Sequence, residues 1–159
     1  MTANTAKKIL FVCTGNICRS PIAQFLAERL AREAGLPWRA ASAGVAAEVD
    51  WGMEPGAINA LKNRGITGAS HSARQIDEEM MADSDAIYAL TRSHRATIVS
   101  RFPQHAAKVA VLREAAGLPG ADVSDPYGEN DAVYEACAAR IEEALTILIR
   151  RSPHAQNAR

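Results

Sequence analysis

Two hydrophobic periods alternate along this chain. Residues 9–12 are a short apolar run, Ile9, Leu10, Phe11 and Val12, rich in strand formers and reading as a buried first strand. Over residues 20–34, Ile22, Phe25, Leu26 and Leu30 recur at helical spacing until Gly35 stops them. A weaker strand is expected over 38–43, ending at Gly44. Residues 55–64 read as a helix, with Pro55 near its start and Gly65 past its end. Residues 76–82 predict a shorter helix in which Met80 and Met81 fill core. A third strand is expected over 86–90, a helix over 93–101 closed by Pro103, and a fourth strand over 109–112. A loop rich in glycine, proline and aspartate spans 117–130. The longest helix is expected over 131–150, with Val133, Cys137, Ile141, Leu145 and Leu148 along one face. This alternation predicts an α/β fold, a single parallel sheet with helices on both faces. Open sheets of that kind bind ligands outside the carboxyl ends of their strands. With no repeat and no linker, residues 1–151 are expected as one domain and 152–159 as a frayed tail.

Composition narrows the functions without naming one. A chain of 159 residues, 48% hydrophobic and 23% charged, suits a single globular core. Lys and Arg together number 18, as do Asp and Glu, so no overall basic field points to nucleic acid. The apolar run after Lys8 is too short for a signal segment or a membrane span. A cytoplasmic protein without membrane contact is therefore expected. Three cysteines, Cys13, Cys18 and Cys137, are too few for a disulfide scaffold and lack the CxxC pairs of a zinc site.

The chemistry concentrates between the first strand and the first helix, in Cys13, Thr14, Gly15, Asn16, Ile17, Cys18, Arg19 and Ser20. A glycine-containing turn there lets successive N–H groups face an anion. The helix that follows adds the positive end of its dipole, and Arg19 offers a planar fork for two phosphate oxygens. A cysteine facing that potential is favoured as thiolate, and a thiolate aimed at a held phosphorus is equipped for covalent phosphoryl transfer. Neither GxxxxGK[ST] nor GxGxxG occurs, which removes nucleotide-dependent kinases and dehydrogenases. Such a reaction also needs a proton donor. Asp125 lies just past the fourth strand, followed by Pro126 and Tyr127. It fits that role or that of a plain turn initiator, and Tyr127 offers an aromatic wall beside a flat substrate.

The loop of residues 13–20, together with Asp125, Pro126 and Tyr127, resembles the low-molecular-weight protein-tyrosine phosphatases. The resemblance extends through Ser42-Ala-Gly44, His71-x-Ala-Arg74 and Thr91-Arg-Ser-His94, nearly the whole chain to about Arg150. It implies a four-stranded, flavodoxin-like three-layer sandwich, no metal or cofactor, and a phosphorylated protein as partner and substrate. It also implies a phosphocysteine intermediate, with Cys13 attacking phosphorus while Arg19 and the loop amides of Thr14 to Cys18 hold its oxygens. Ser20 would hydrogen-bond the thiolate, and Asn16, Ser42 and His71 would keep the loop in shape. Asp125 would protonate the leaving group and then activate water.

Two features depart from the better-known eukaryotic members. Gly128 stands where they carry a second aromatic, and residues 44–55 are closer in length to a bacterial subgroup that includes protein-arginine phosphatases. At the loop position where that subgroup has Thr, this chain has Ile17. Its apolar side chain favours a phenyl ring over a guanidinium. Phosphotyrosine is therefore expected over phosphoarginine, and both over the shorter phosphoserine. An arsenate reductase would need relay cysteines that residues 74–84 lack, and a non-catalytic phosphate-binding module would have lost Cys13 or Asp125. Cys18 admits two readings, a reversible disulfide with Cys13 or packing behind the loop. Trp51 either reaches the pocket mouth or packs. His94, His105 and His154 read as solvated, and Cys137 as an inert buried thiol.

Overall fold

The computed structural model describes residues 6–153. Of the expected tail over 152–159, His154 and the residues after it lie outside the described residues. Strands β1 (Lys7–Cys13), β2 (Trp38–Gly44), β3 (Ala86–Ala89) and β4 (Val109–Val111) form one sheet in the order β2-β1-β3-β4. All three pairings are parallel, so the four-stranded parallel sheet expected from the alternation is the fold observed. The remaining elements are α1 (Arg19–Glu33), α2 (Pro55–Lys62), α3 (Glu78–Asp83), α4 (Arg92–Arg101), a 3₁₀ turn (Pro103–Lys108), α5 (Leu112–Ala115) and α6 (Asp131–Arg151).

Central strand β1 is covered on both faces. Ile9, Phe11 and Cys13 point into a core with Ile22, Leu26, Ile141 and Leu145 of α1 and α6. Leu10 and Val12 point the other way, onto Met81 and Ile98 of α3 and α4. This period-two split explains why the sequence there is a continuous apolar run rather than an alternating one. From β1 the chain turns outward to β2 and then crosses back to β3. The carboxyl ends of β1 and β3 therefore flank the point where the connections diverge, the crevice such sheets use for ligands.

Several boundaries differ from expectation for identifiable reasons. The third helix starts at Glu78 because Asp77 caps it, its carboxylate accepting from the Met80 N–H at 2.8 Å. Ile76 instead donates to the Gly44 carbonyl at 3.0 Å. Leu112 does not extend β4 but opens α5, and the residues after Pro103 coil into the 3₁₀ turn rather than simply ending a helix. On α6, Val133 is 39% exposed and Leu148 only partly buried, whereas Tyr134, Ala138 and Ala144 are buried. The buried face is rotated because the start of the helix packs on α2. There a Cβ on Gly56 would fall 2.3 Å from the Tyr134 ring. Met80 is only partly buried, while Met81 is fully buried.

Candidate active site

The loop between β1 and α1 turns its carbonyls outward. Those of Cys13, Thr14, Gly15 and Ile17 accept from the N–H groups of Val45, Ala46, Glu48 and Glu54 at 2.9–3.0 Å. The Asn16 carbonyl accepts from His71 Nε2 at 2.7 Å, and that of Cys18 from the Ile22 N–H at 3.1 Å. With every carbonyl engaged, the N–H groups of residues 14–18 have no protein acceptor among the described residues. They form a cradle of donors at the N-terminus of α1, suited to an anion.

The turn itself depends on Asn16 rather than Gly15, since Asn16 is the loop residue in the left-handed region, φ 61°. Asn tolerates that conformation because its short amide bonds locally. Here Nδ2 donates to Ser20 Oγ at 2.8 Å and Oδ1 accepts from the Arg74 N–H at 2.9 Å. Gly44 allows the close approach of β2, where a Cβ would sit 2.3 Å from the Thr14 carbonyl oxygen. Burial, and after it Arg74, lowers the His71 pKa, while the hydrogen bond that Nε2 donates to the Asn16 carbonyl opposes that shift. Ser42 reaches the loop indirectly. Its hydroxyl donates to Gln24 Oε1 at 2.6 Å, and its carbonyl accepts from Arg74 Nε at 3.1 Å.

At the base of the cradle Cys13 Sγ lies 2.9 Å from Ser20 Oγ, both buried. Arg19, 6% exposed, donates from Nη1 to the Val123 carbonyl at 3.0 Å. Its Nη2 lies 3.5 Å from Thr14 Oγ1 and 3.7 Å from Asp125 Oδ2. The exposed Asp125 carboxylate accepts from the Tyr127 N–H at 3.1 Å, which aims it across the opening. The cavity between these groups holds about 140 Å³. Thr14, Ile17 and Cys18 of the loop line it together with Ala46, Glu48, Asp125 and Tyr127. A larger groove of about 530 Å³ beside Lys8, Arg39 and Asp83 contains no cysteine.

Chain folding thus brings Cys13, Arg19, Ser20, Asn16, His71 and Asp125 together. Cys18 is buried, its Sγ 3.5 Å from the Tyr134 hydroxyl and its thiol pushed up to about 12 by burial. Burial likewise raises Cys137 to about 12. Trp51 is 50% exposed and does not line the cavity. His94 overturns its sequence reading. It is buried, not solvated, with Nε2 2.8 Å from Thr14 Oγ1. A signal for it existed in Thr91, which caps α4 and accepts from the His94 N–H at 3.0 Å, fixing His94 one turn into a helix that starts beside the loop. His105 pairs with Glu78 at 2.7 Å. Glu48 went unread, although it falls in a stretch that lacks lysine and arginine.

Residues 8–157 match the low molecular weight phosphotyrosine protein phosphatase family. The chain belongs to this family. A protein-arginine-phosphatase of Bacillus subtilis is 36% identical over 143 residues, 90% of this chain and 95% of that protein. A low molecular weight phosphotyrosine protein phosphatase of Sus scrofa is 33% identical, covering 86% of this chain and 89% of its own. The crystal structure of a low molecular weight protein tyrosine phosphatase from T. tengcongensis superposes with a TM-score of 0.88 at 36% identity. That match covers 92% of this chain and all of the other. Among the described residues of this phosphatase, no helix is long and apolar enough to cross a membrane.

Proposed function

We propose that this phosphatase hydrolyses phosphotyrosine in proteins through a phosphocysteine intermediate. The observation that carries the reading is the inward-facing amide cradle with Cys13 at its base and Asp125 across its opening. Phosphoryl oxygens bind the cradle and the Arg19 fork, which concentrates positive potential where charge develops. Ser20 donates to the Cys13 thiolate, which attacks phosphorus. The bond to the leaving oxygen breaks, and that oxygen takes the proton of Asp125. The Asp125 carboxylate then takes a proton from water as the water oxygen attacks phosphorus, and the P–S bond breaks to return thiolate and free phosphate. Cys13→Ser should abolish turnover of an aryl phosphate while inorganic phosphate still binds. Asp125→Asn should slow cleavage by about 10² to 10⁴-fold, less for good leaving groups. Substantial activity in Cys13→Ser, or a loss in Asp125→Asn that ignores leaving-group pKa, would overturn the mechanism.

Ile17 supports phosphotyrosine. It is 6% exposed and lines the cavity, as does Tyr127, so a phenyl ring gains apolar contact there. A guanidinium beside Ile17 leaves N–H groups unpaired, a penalty of about 1–3 kcal/mol. Phosphoarginine is the second reading, favoured by Glu48. Its carboxylate has no ion-pair partner among the described residues, and its chain lies over Gly15, with Cγ 3.5 Å from where a Cβ would stand. Comparing kcat/KM on phosphotyrosine and phosphoarginine peptides for wild type, Ile17→Thr and Glu48→Gln separates the two. A wild type that prefers phosphoarginine, and loses the preference in Glu48→Gln, would give the pocket to Glu48 rather than Ile17.

A further inference from the structure

His94 is a buried titratable side chain that the steps above leave unused. It is 6% exposed and projects from the first turn of α4 toward the residue that follows the nucleophile. Its Nε2 lies 2.8 Å from Thr14 Oγ1. Its Nδ1 is buried and has no hydrogen-bond partner among the described residues. Burial, reinforced by the Arg19 charge, pushes the ring down to about 4, so near neutral pH one ring nitrogen carries hydrogen and the other does not.

The unpartnered Nδ1 decides which. Were Thr14 to donate to Nε2, the ring proton would sit on Nδ1 as a buried N–H without an acceptor. The opposite arrangement, Nε2–H donating to Thr14, leaves only a bare lone pair at Nδ1. Orphaned buried N–H groups are rarer in folded proteins than under-satisfied acceptors. Arg19 Nη2, 3.5 Å from the same oxygen, can only donate. A hydroxyl oxygen has two lone pairs, and both are then taken, one by His94 and one by Arg19. The hydroxyl proton is left to point away from both, into the cavity that Thr14 lines.

We propose that His94 is a positioning residue that turns the Thr14 hydroxyl into a fixed hydrogen-bond donor facing the phosphoryl group. The inference rests on the phosphatase reading given above. Thr14 keeps its proton throughout; it donates a hydrogen bond and transfers nothing. Asp125 Oδ2 approaches the same Arg19 Nη2, at 3.7 Å, so the donor stands on the side where the leaving oxygen departs and water enters. Preorganised donors act most strongly where charge builds up in the transition state. The effect therefore falls on kcat more than on KM.

The test measures kcat and KM on an aryl phosphate, inorganic phosphate binding by calorimetry, and thermal unfolding. The proteins are wild type, Thr14→Val, Thr14→Ser, His94→Phe, His94→Gln and the Thr14→Val/His94→Phe pair. Thr14→Val and His94→Phe should each lower kcat by roughly ten-fold, the worth of one hydrogen bond to a charged group, and raise KM and weaken phosphate binding by a smaller factor. Thr14→Ser keeps a hydroxyl and His94→Gln keeps an N–H near the Nε2 position, so both should restore most of the rate. The pair should be no slower than Thr14→Val alone, because His94 acts only through Thr14. Multiplying losses, a His94→Gln protein as slow as His94→Phe, or full kcat in a folded His94→Phe protein would each overturn the proposal. If His94→Phe does not fold, His94→Gln against Thr14→Val carries the comparison. If the wild type itself turns nothing over, the phosphatase reading has failed first. Phosphate affinity then decides: an equal, non-additive weakening supports the fixed donor, and an unchanged affinity removes it.

Discussion

His71 grips the phosphate loop at Asn16 and His94 grips it at Thr14. Burial is the largest influence on both rings and lowers the pKa of both. The linkage to stability has a definite sign. A histidine whose folded pKa lies below its ordinary value of 6.5 takes up a proton more readily in the unfolded chain. Stability therefore falls as pH drops below about 6.5, and for His94 the loss continues to about 4. Asp122 and Asp125 oppose the shift without reversing it. At about 1.4 kcal/mol per pH unit, His94 should take about 2 kcal/mol from stability between roughly pH 7 and pH 5. Urea unfolding at both pH values should show that drop in wild type and a smaller one in His94→Gln. Equal drops in the two proteins would mean the ring is not neutral when folded.

At the scale of elements, the long segment carrying Asp125 is held by two arginines from its flanks. Arg113, nearly buried at the start of α5, donates to the carbonyls of Gly120, Pro119 and Arg140 and to Glu143 at 2.7–3.0 Å. Arg140 of α6 donates to the carbonyls of Gly120 and Asp122 at 3.0–3.1 Å. Asp122 accepts from the Arg92 N–H at 2.8 Å, and the Val123 N–H donates to the Leu90 carbonyl at 3.0 Å. Asp125 thus extends from a loop whose preceding residues are tied to α4, α5 and α6. Arg113→Met leaves the carbonyls of Gly120, Pro119 and Arg140 without their donor and should lower stability by about 1–3 kcal/mol. Arg140→Ala removes the more exposed tie. It should leave stability within about 1 kcal/mol but slow turnover of substrates with poor leaving groups, which depend on where Asp125 sits. Chemical unfolding and a leaving-group series check the two. An Arg140→Ala protein equally active on poor and good leaving groups would show that the loop holds its shape without that tie.

Across the whole molecule, zero net charge hides an uneven distribution. Residues 40–61 and 114–139 contain no lysine or arginine, yet they carry Glu48, Asp50, Glu54, Asp122, Asp125 and Glu129. These two stretches contribute Glu48 and Asp125 to the lining of the cavity. Arg19 and the loop N–H groups thus share the cavity with the acidic side chains of Glu48 and Asp125. Peptides with lysine or arginine beside the phosphorylated residue should therefore show higher kcat/KM than acidic ones. The advantage should shrink several-fold as salt shortens the screening length toward about 3 Å near 1 M. A preference that ignores salt would mean that contacts other than charge select the peptide.

The local order of the chain determined the sheet, the helices near their final bounds and the chemistry of the loop. Apolar run, helical spacing and stop signals act over a few residues, and so do the strand, turn and helix that set Cys13 and Arg19 on one loop. Only the tertiary structure decided what surrounds them. Arg74 reaches Asn16 from 58 positions away and His94 reaches Thr14 from 80; Val123 meets Arg19 from 104. Asn16 rather than Gly15 takes the left-handed turn, where Arg74 bonds its side-chain amide and His71 its carbonyl. Val133 faces solvent and Tyr134 the core because α6 meets α2 at Gly56. A helical period says that a face exists, and only the neighbouring element decides which face it is.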